Sequence, residues 1–160
     1  MTETVSGAAF RDALAQFASG VTIVTAHGAA GPVGLTATAF ASASLAPPLV
    51  LFCIAKRAST YAAVMAAERF GISILGEDQR WIAEQFGRSG VDRFEGISLR
   101  PGARVPLIDG ALVQLDCGRY ATHDAGDHTI LLGEVGEAAI ASGPPLVHHA
   151  RRFGRFGSSL

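Results

Sequence analysis

Apolar positions recur along this chain with two different periods. Phe10, Ala13, Leu14 and Phe17 fall three and four apart, one helical face, with Ser6 as N-cap and Gly20 as terminator. Val21–Ala26 is β-branched and reads as a strand, and HGAAGPVG turns it into Val33–Ala41, so a hairpin is expected there. Within the second strand Thr36 and Thr38 alternate with Ala37 and Ala39. Ser42 and Ser44 continue that period of two until Pro47-Pro48, which should stop pairing. Leu49–Ile54 is wholly apolar, the pattern of a strand buried on both faces, and an alanine-rich helix runs from Ser59 to about Glu68. Phe70–Leu75 is a further short strand. Asp78 starts a second short helix with Trp81, Ile82, Gln85 and Phe86 on its packing face before Gly87, and the polar loop RSGVDRFEG follows. Leu112–Thr122 and His128–Ile140 read as long antiparallel strands joined by a turn at HDAGD, ahead of a basic, aromatic tail, GPPLVHHARRFGRF.

Several strands at similar spacing, with helices only as short inserts, argue for a mainly β fold, a closed antiparallel barrel, rather than for βαβ units. No G-x-G-x-x-G follows a strand, so the doubly wound dinucleotide fold is not expected. The 160 residues suit a single domain over 1–160, its core about 10–156. With 49% hydrophobic and 17% charged residues, the chain has apolar surface to spare for a partner subunit. A formal net charge of −1 gives no electrostatic ground for nucleic acid or an anionic membrane. Cys53 and Cys117 lie in apolar runs and are expected as buried free thiols. Neither a basic, apolar leader nor an uninterrupted apolar window of about 18 residues is present, so a cytoplasmic protein is expected.

Chemistry concentrates between Gly34 and Thr60. The Thr36–Ser44 stretch offers hydroxyls and bare main chain along one side. Lys56-Arg57 then stands just ahead of Ser59-Thr60 at a helix start, a combination suited to a phosphate. A slot for a flat polar ring and a cradle for an anion are the two ends of a flavin mononucleotide. The same residues also suit a hydroxyl-rich strand followed by an ordinary helix cap. A second cluster, Gly126-Asp127-His128, sits at a hairpin tip, where His128 could meet a carboxamide or a nicotinamide ring, or be a solvated turn residue. The histidines and cysteines show no C-x-x-C, H-x-x-x-H or H-x-E spacing for a metal, and no G-x-S-x-G elbow is present.

Taken together, FASGVTIVTA, GLTATAFASASLAPPLVLFCIAKRAST, FGISILGEDQRWIAEQF, DRFEG and AGDHTILLGEV resemble, in order, the flavin reductase family, from Phe10 to about Phe156. The resemblance implies a split β-barrel homodimer of FMN-binding type that uses NADH or NADPH to reduce FMN or FAD, its reduced flavin passing to a separate monooxygenase. It places Thr36, Ala37, Thr38, Ala39, Ser42 and Ser44 along the flavin ring, Lys56, Ser59 and Thr60 at the phosphate end, and Gly126, Asp127 and His128 on the nicotinamide side, with His128 as the catalytic candidate. Ser73 and Phe153 depart from the pattern, which often has asparagine and an aromatic hydroxyl there. Such chemistry needs nicotinamide C4 held about 3–3.5 Å from flavin N5 without intervening water, and no protein nucleophile. A non-catalytic flavin-binding barrel (carrier or sensor) and an amine oxidase of the same fold remain as alternatives.

Overall fold

The computed structural model describes residues 4–157, so the outermost three residues at each end of the expected 1–160 domain lie outside the described ones. The chain forms, in order, α1 (Gly7–Leu14), β1 (Ser19–Gly20), β2 (Thr22–Gly28), β3 (Gly31–Ala37), β4 (Phe40–Leu45), β5 (Pro48–Ala55), α2 (Tyr61–Ala66), β6 (Arg69–Ile74), a 3-10 turn (Glu77–Gln79), α3 (Arg80–Phe86), β7 (Val113–Ala125), β8 (His128–Ile140), β9 (Leu146–His149) and β10 (Arg152–Arg155). Seven strands make one antiparallel sheet in the order β3-β2-β6-β7-β8-β5-β4, and β1-β9-β10 make a smaller one. Mainly β architecture with few short helices is therefore present.

β2 is buried on both faces, which explains its unbroken β-branched run. Val24 and Ala26 join Phe52, Ile54, Val64, Phe70, Ile72 and Leu131 in one cluster that α2 covers. Val21 and Ile23 join Leu75, Ile82, Phe86, Ile108 and Leu146 in a second cluster that α3 covers. Among the described residues no helix is long and apolar enough to cross a membrane.

Several elements differ from expectation. The first helix ends at Leu14, and Ser19–Gly20 leave it to pair with Val147–His148. All of α1 is exposed, including Phe10 at 55% and Leu14 at 53%, so no core contact extends it. The β2–β3 turn shrinks to Ala29–Ala30, and Pro32 lies within the ladder opposite His27. The single strand expected through Thr36–Ser44 breaks at Thr38–Ala39, because β3 and β4 occupy opposite margins of the sheet. Pro48 does not stop pairing: it opens β5 opposite Leu45, at the strand's first residue, where the missing N–H costs no interior ladder bond. β5 is fully buried on one face, while on the other only Leu49 is buried. Val50, Phe52 and Ile54 point inward while Leu51 and Cys53 are partly exposed, so the Cys53 thiol is not fully buried. α2 starts at Tyr61 rather than Ser59, with Thr60 at its N-cap position and no side-chain capping bond. Trp81 is 50% exposed, and Ala83 takes its place among the buried residues of α3. The tail, which carried no strand expectation, folds as the β9–β10 hairpin.

Candidate functional site

Thr38 and Ala39 are exposed where the chain passes from one margin of the sheet to the other. The Thr36 hydroxyl donates to Ala83 O at 2.7 Å and the Thr22 hydroxyl to Ala37 O at 2.8 Å, so these groups are committed to the protein interior. Ala39 O accepts from Cys53 N at 3.0 Å. β4 pairs only with β5, which leaves the peptide groups on its other side free for a ligand. Ser42 and Ser44 sit on either side of a register shift in that strand, opposite Val50 and Leu49.

Where β5 ends, the chain turns through Lys56–Thr60 beside a cavity of about 430 Å³, whose lining includes Leu35, Arg57, Ser59, Thr60, Ser89 and Arg93. Arg93 comes from the polar loop after α3. It donates from Nη1 to Gly34 O at 2.8 Å and from Nε to Arg88 O at 2.9 Å, which fixes its guanidinium against β3. Lys56 does not line this cavity. Its ammonium is paired with Asp124, whose hydrogen bond holds it charged to higher pH than usual. Thr60 is 7% exposed, and its hydroxyl is, among the described residues, the buried side-chain polar atom left without a partner. Two guanidinium groups, an exposed serine and the threonine hydroxyl without a partner among the described residues form a donor set that fits a phosphate.

The third part arrives across the sheet. Gly126 adopts φ 66° in the two-residue turn Gly126–Asp127, a left-handed conformation that glycine adopts without strain. That turn sets Ala55 opposite His128, and Lys56 N donates to Asp127 O at 2.9 Å. His128 Nδ1 lies 2.7 Å from Asp127 Oδ1, and this bond, followed by the charge of His128, holds the Asp127 carboxyl below its ordinary range. The Tyr61 hydroxyl is 2.9 Å from Thr129 Oγ1, tying the start of α2 to the start of β8.

Registers give the distances between these parts. Ala39 meets β5 at Cys53, two residues before Ala55, on the opposite side of that strand from His128. The separation is about 7 Å along the strands and about 10 Å across two strand spacings. Thr36–Ala39, Lys56–Thr60 and Asp127–His128 are thus brought together. Ser42 and Ser44 lie opposite Val50 and Leu49, roughly 17–20 Å along β5 from Ala55, and are not part of that convergence. Ser73 is buried and its hydroxyl accepts from Ile108 N at 3.0 Å, a structural bond, and Phe153 packs edge-on against His148 with ring centroids 5.5 Å apart. Arg57, read from the sequence with Lys56 as a cation pair ahead of the helix start, does line the cavity, whereas Lys56 does not. Arg93 escaped selection, because it sits in a loop with no periodic signal. The DRFEG block was its only trace.

Residues 14–157 match the family described as flavin reductase like domain. An FMN reductase (NADH) of Agrobacterium fabrum is 45% identical over 148 residues, covering 92% of this chain and 84% of that protein. The reductase component of 4-hydroxyphenylacetate 3-monooxygenase from Thermus thermophilus is 42% identical over 149 residues, covering 92% and 95%. Among solved structures, an NADH:FAD oxidoreductase of Streptomyces globisporus C-1027, in complex with NAD and FAD fragments, is similar with a TM-score of 0.90 at 36% identity, covering 98% of each chain.

Proposed function

The chain belongs to the flavin reductase family, and from that premise we propose that it uses NADH or NADPH to reduce FMN or FAD and supplies the reduced flavin to a partner monooxygenase. The observation that carries this is the meeting of an open main-chain margin, an arginine-lined cavity and a histidine hairpin around the end of β5. A flavin held there would supply the redox chemistry, as the acceptor of a hydride from the reduced nicotinamide. The main chain at Thr36–Ala39 lines the ring, its amides offering fixed dipoles where negative charge gathers. Arg57, Ser59, Thr60 and Arg93 hold the phosphate end, with Lys56 braced by Asp124 at the rim. Asp127 orients His128, and His128 positions the nicotinamide and keeps water from the open side. No side chain in this scheme has to transfer a proton.

His128→Ala should raise KM for NAD(P)H about tenfold, the loss of one positioning hydrogen bond, while the flavin Kd moves less than twofold. Steady-state kinetics and flavin titration separate the two quantities. An unchanged KM would remove His128 from the nicotinamide side.

The two marginal strands β3 and β4 are consecutive and linked by Thr38–Ala39 alone, and the proposed enzyme closes its sheet there as a split barrel. It works as a homodimer. Leu51, Cys53, Ile130 and Leu132 form an outward apolar row across β5 and β8, and Phe10 and Leu14 on α1, with Phe17 beyond it at 75% exposure, are uncovered apolar side chains. A second copy of the chain would cover such a surface. Thiol alkylation followed by mass spectrometry checks this. Cys117 is fully buried, and burial pushes its thiol up to about 12, so below about pH 10 it should stay unmodified in the folded protein. Cys53 should react, and more slowly as protein concentration rises and dimers form. A Cys53 rate independent of concentration across the range in which sedimentation shows association would place the interface elsewhere.

A further inference from the structure

The turn that carries Arg57, Ser59 and Thr60 is tied to the histidine hairpin at both of its ends. At its start, Lys56 N donates to Asp127 O at 2.9 Å. At its far end, the hydroxyls of Tyr61 and Thr129 share a hydrogen bond of 2.9 Å. The two ties land on either side of His128, one on the residue before it and one on the residue after. The first joins main chain to main chain and belongs to any sequence folded this way. The second depends on two particular hydroxyls.

Both of those hydroxyls are held from behind. Thr129 is 5% exposed, set between Ile54 of β5 and Asp124 of β7, and its hydroxyl has Tyr61 as its partner. Tyr61 is the first residue of α2, and the helix is fixed at its other end. There Arg119 of β7 donates from Nη2 to Val64 O at 2.7 Å and from Nε to Ala67 O at 3.1 Å. The Val64 side chain is fully buried. α2 is thus a short strut anchored on β7 and set against β8 through Tyr61. The Lys56–Asp124 pair also joins the turn to the hairpin, but its side chains are exposed, and pairs of that kind hold little. The Tyr61–Thr129 bond is part-buried, and breaking it strands a hydroxyl away from water.

We propose that Tyr61 is a positioning residue for hydride transfer: through Thr129 it fixes the spacing between the turn that would hold the flavin phosphate and the hairpin that carries His128. This rests on the flavin reductase function proposed above, and it adds a residue that does not itself line the phosphate cavity. Rates are sensitive to such spacing, since a displacement of about 1 Å arising far from the reacting atoms can slow a reaction about a hundredfold. Tyr61→Phe keeps His128 and the phosphate cradle but lets one drift relative to the other. It should slow flavin reduction about tenfold at saturating NADH, followed anaerobically by stopped flow, while KM for NADH and Kd for FMN each change less than about threefold. His128→Ala gives the opposite split, a raised KM, and a general loss of stability gives neither. Thr129→Val should match Tyr61→Phe, and the double variant should be no slower than either. Thr129→Ser, which keeps the hydroxyl, should stay within about twofold of the unaltered chain. In the flavin-free chain, amide hydrogen exchange over residues 124–130 should rise at least about fivefold in Tyr61→Phe and in Thr129→Val, and stay unchanged in β2 and β6. Unchanged reduction rates or unchanged exchange in Tyr61→Phe would overturn the proposal, as would losses that multiply in the double variant. Faster exchange in a chain that reduces no flavin would contradict the flavin function itself, and with it any part for Tyr61 in hydride transfer.

Discussion

Arg57→Ala combined with Ser59→Ala should weaken FMN binding on the order of a hundredfold. Each side chain lines the cavity at the end of β5, and Ser59 is exposed with no partner among the described residues, which leaves its hydroxyl available to an anion. A hydrogen bond to a charged group contributes about 1.5–3 kcal/mol, and the loss of two, discounted for an open cavity, leaves about 2.7 kcal/mol, or a hundredfold in Kd. Lys56→Ala is the informative comparison. Its ammonium is already neutralised by Asp124 and lies off the cavity wall, so the FMN Kd should change less than threefold. Isothermal titration of the three chains gives the ordering. A larger loss from Lys56 than from Arg57 with Ser59 would mean that the phosphate lies on the other side of the Ala55–Thr60 turn.

A loss of stability of about 3 kcal/mol or more is expected from Gly71→Ala, although the position is remote from the proposed chemistry. Gly71 sits in β6 between β2 and β7, paired with Thr25 and Asp116. A β-carbon there would lie 2.6 Å from Pro106 O, 2.7 Å from Thr25 Oγ1 and 2.8 Å from Leu107 Cδ2. Two of these neighbours are tied to each other, since the Thr25 hydroxyl donates to Pro106 O, and the carbonyl is main chain that no rotamer change can move. The 98–109 segment must shift as a unit or the β2–β6 pairing must open, and overpacking of this kind costs about 1–3 kcal/mol before the bond to Thr25 is counted. For a chain of this size, the sum corresponds to a fall of roughly 10 °C in Tm by calorimetry. An unchanged Tm would show that Pro106 and its neighbours adjust freely.

These two sites also show what could and could not be read in advance. Strand identities followed from short apolar and β-branched runs, because burial against a core imposes side-chain periodicity whatever the partner strand. Partner choice was not local. Nothing in GLTATAFASASL indicates that Thr38–Ala39 steps between opposite margins of a sheet, since an extended dipeptide inside a strand and one between strands have the same residue preferences. The β9–β10 hairpin was hidden for a related reason. Its turn uses Ala150 and Arg151 at positive φ, residues that carry no turn signal of their own. Within the site, Gly126-Asp127-His128 was legible because glycine marks a turn and the histidine follows at a fixed offset. Lys56 drew attention as a charge beside a helix start, yet a charge count could not foresee that Asp124, sixty-eight residues away, would take it up. Arg93 was invisible until the loop carrying it lay over Gly34.

The most direct measurement is the oxidation of NADH and NADPH by the purified chain in air, with and without added flavin. Slow oxidation by protein alone, a saturable increase on adding FMN or FAD, and loss of that increase at low nicotinamide concentration in His128→Ala are the results that follow if β5, its arginine-lined end and the histidine hairpin form one site. Oxidation that no flavin stimulates, from protein whose cavity takes up neither FMN nor FAD, would contradict it.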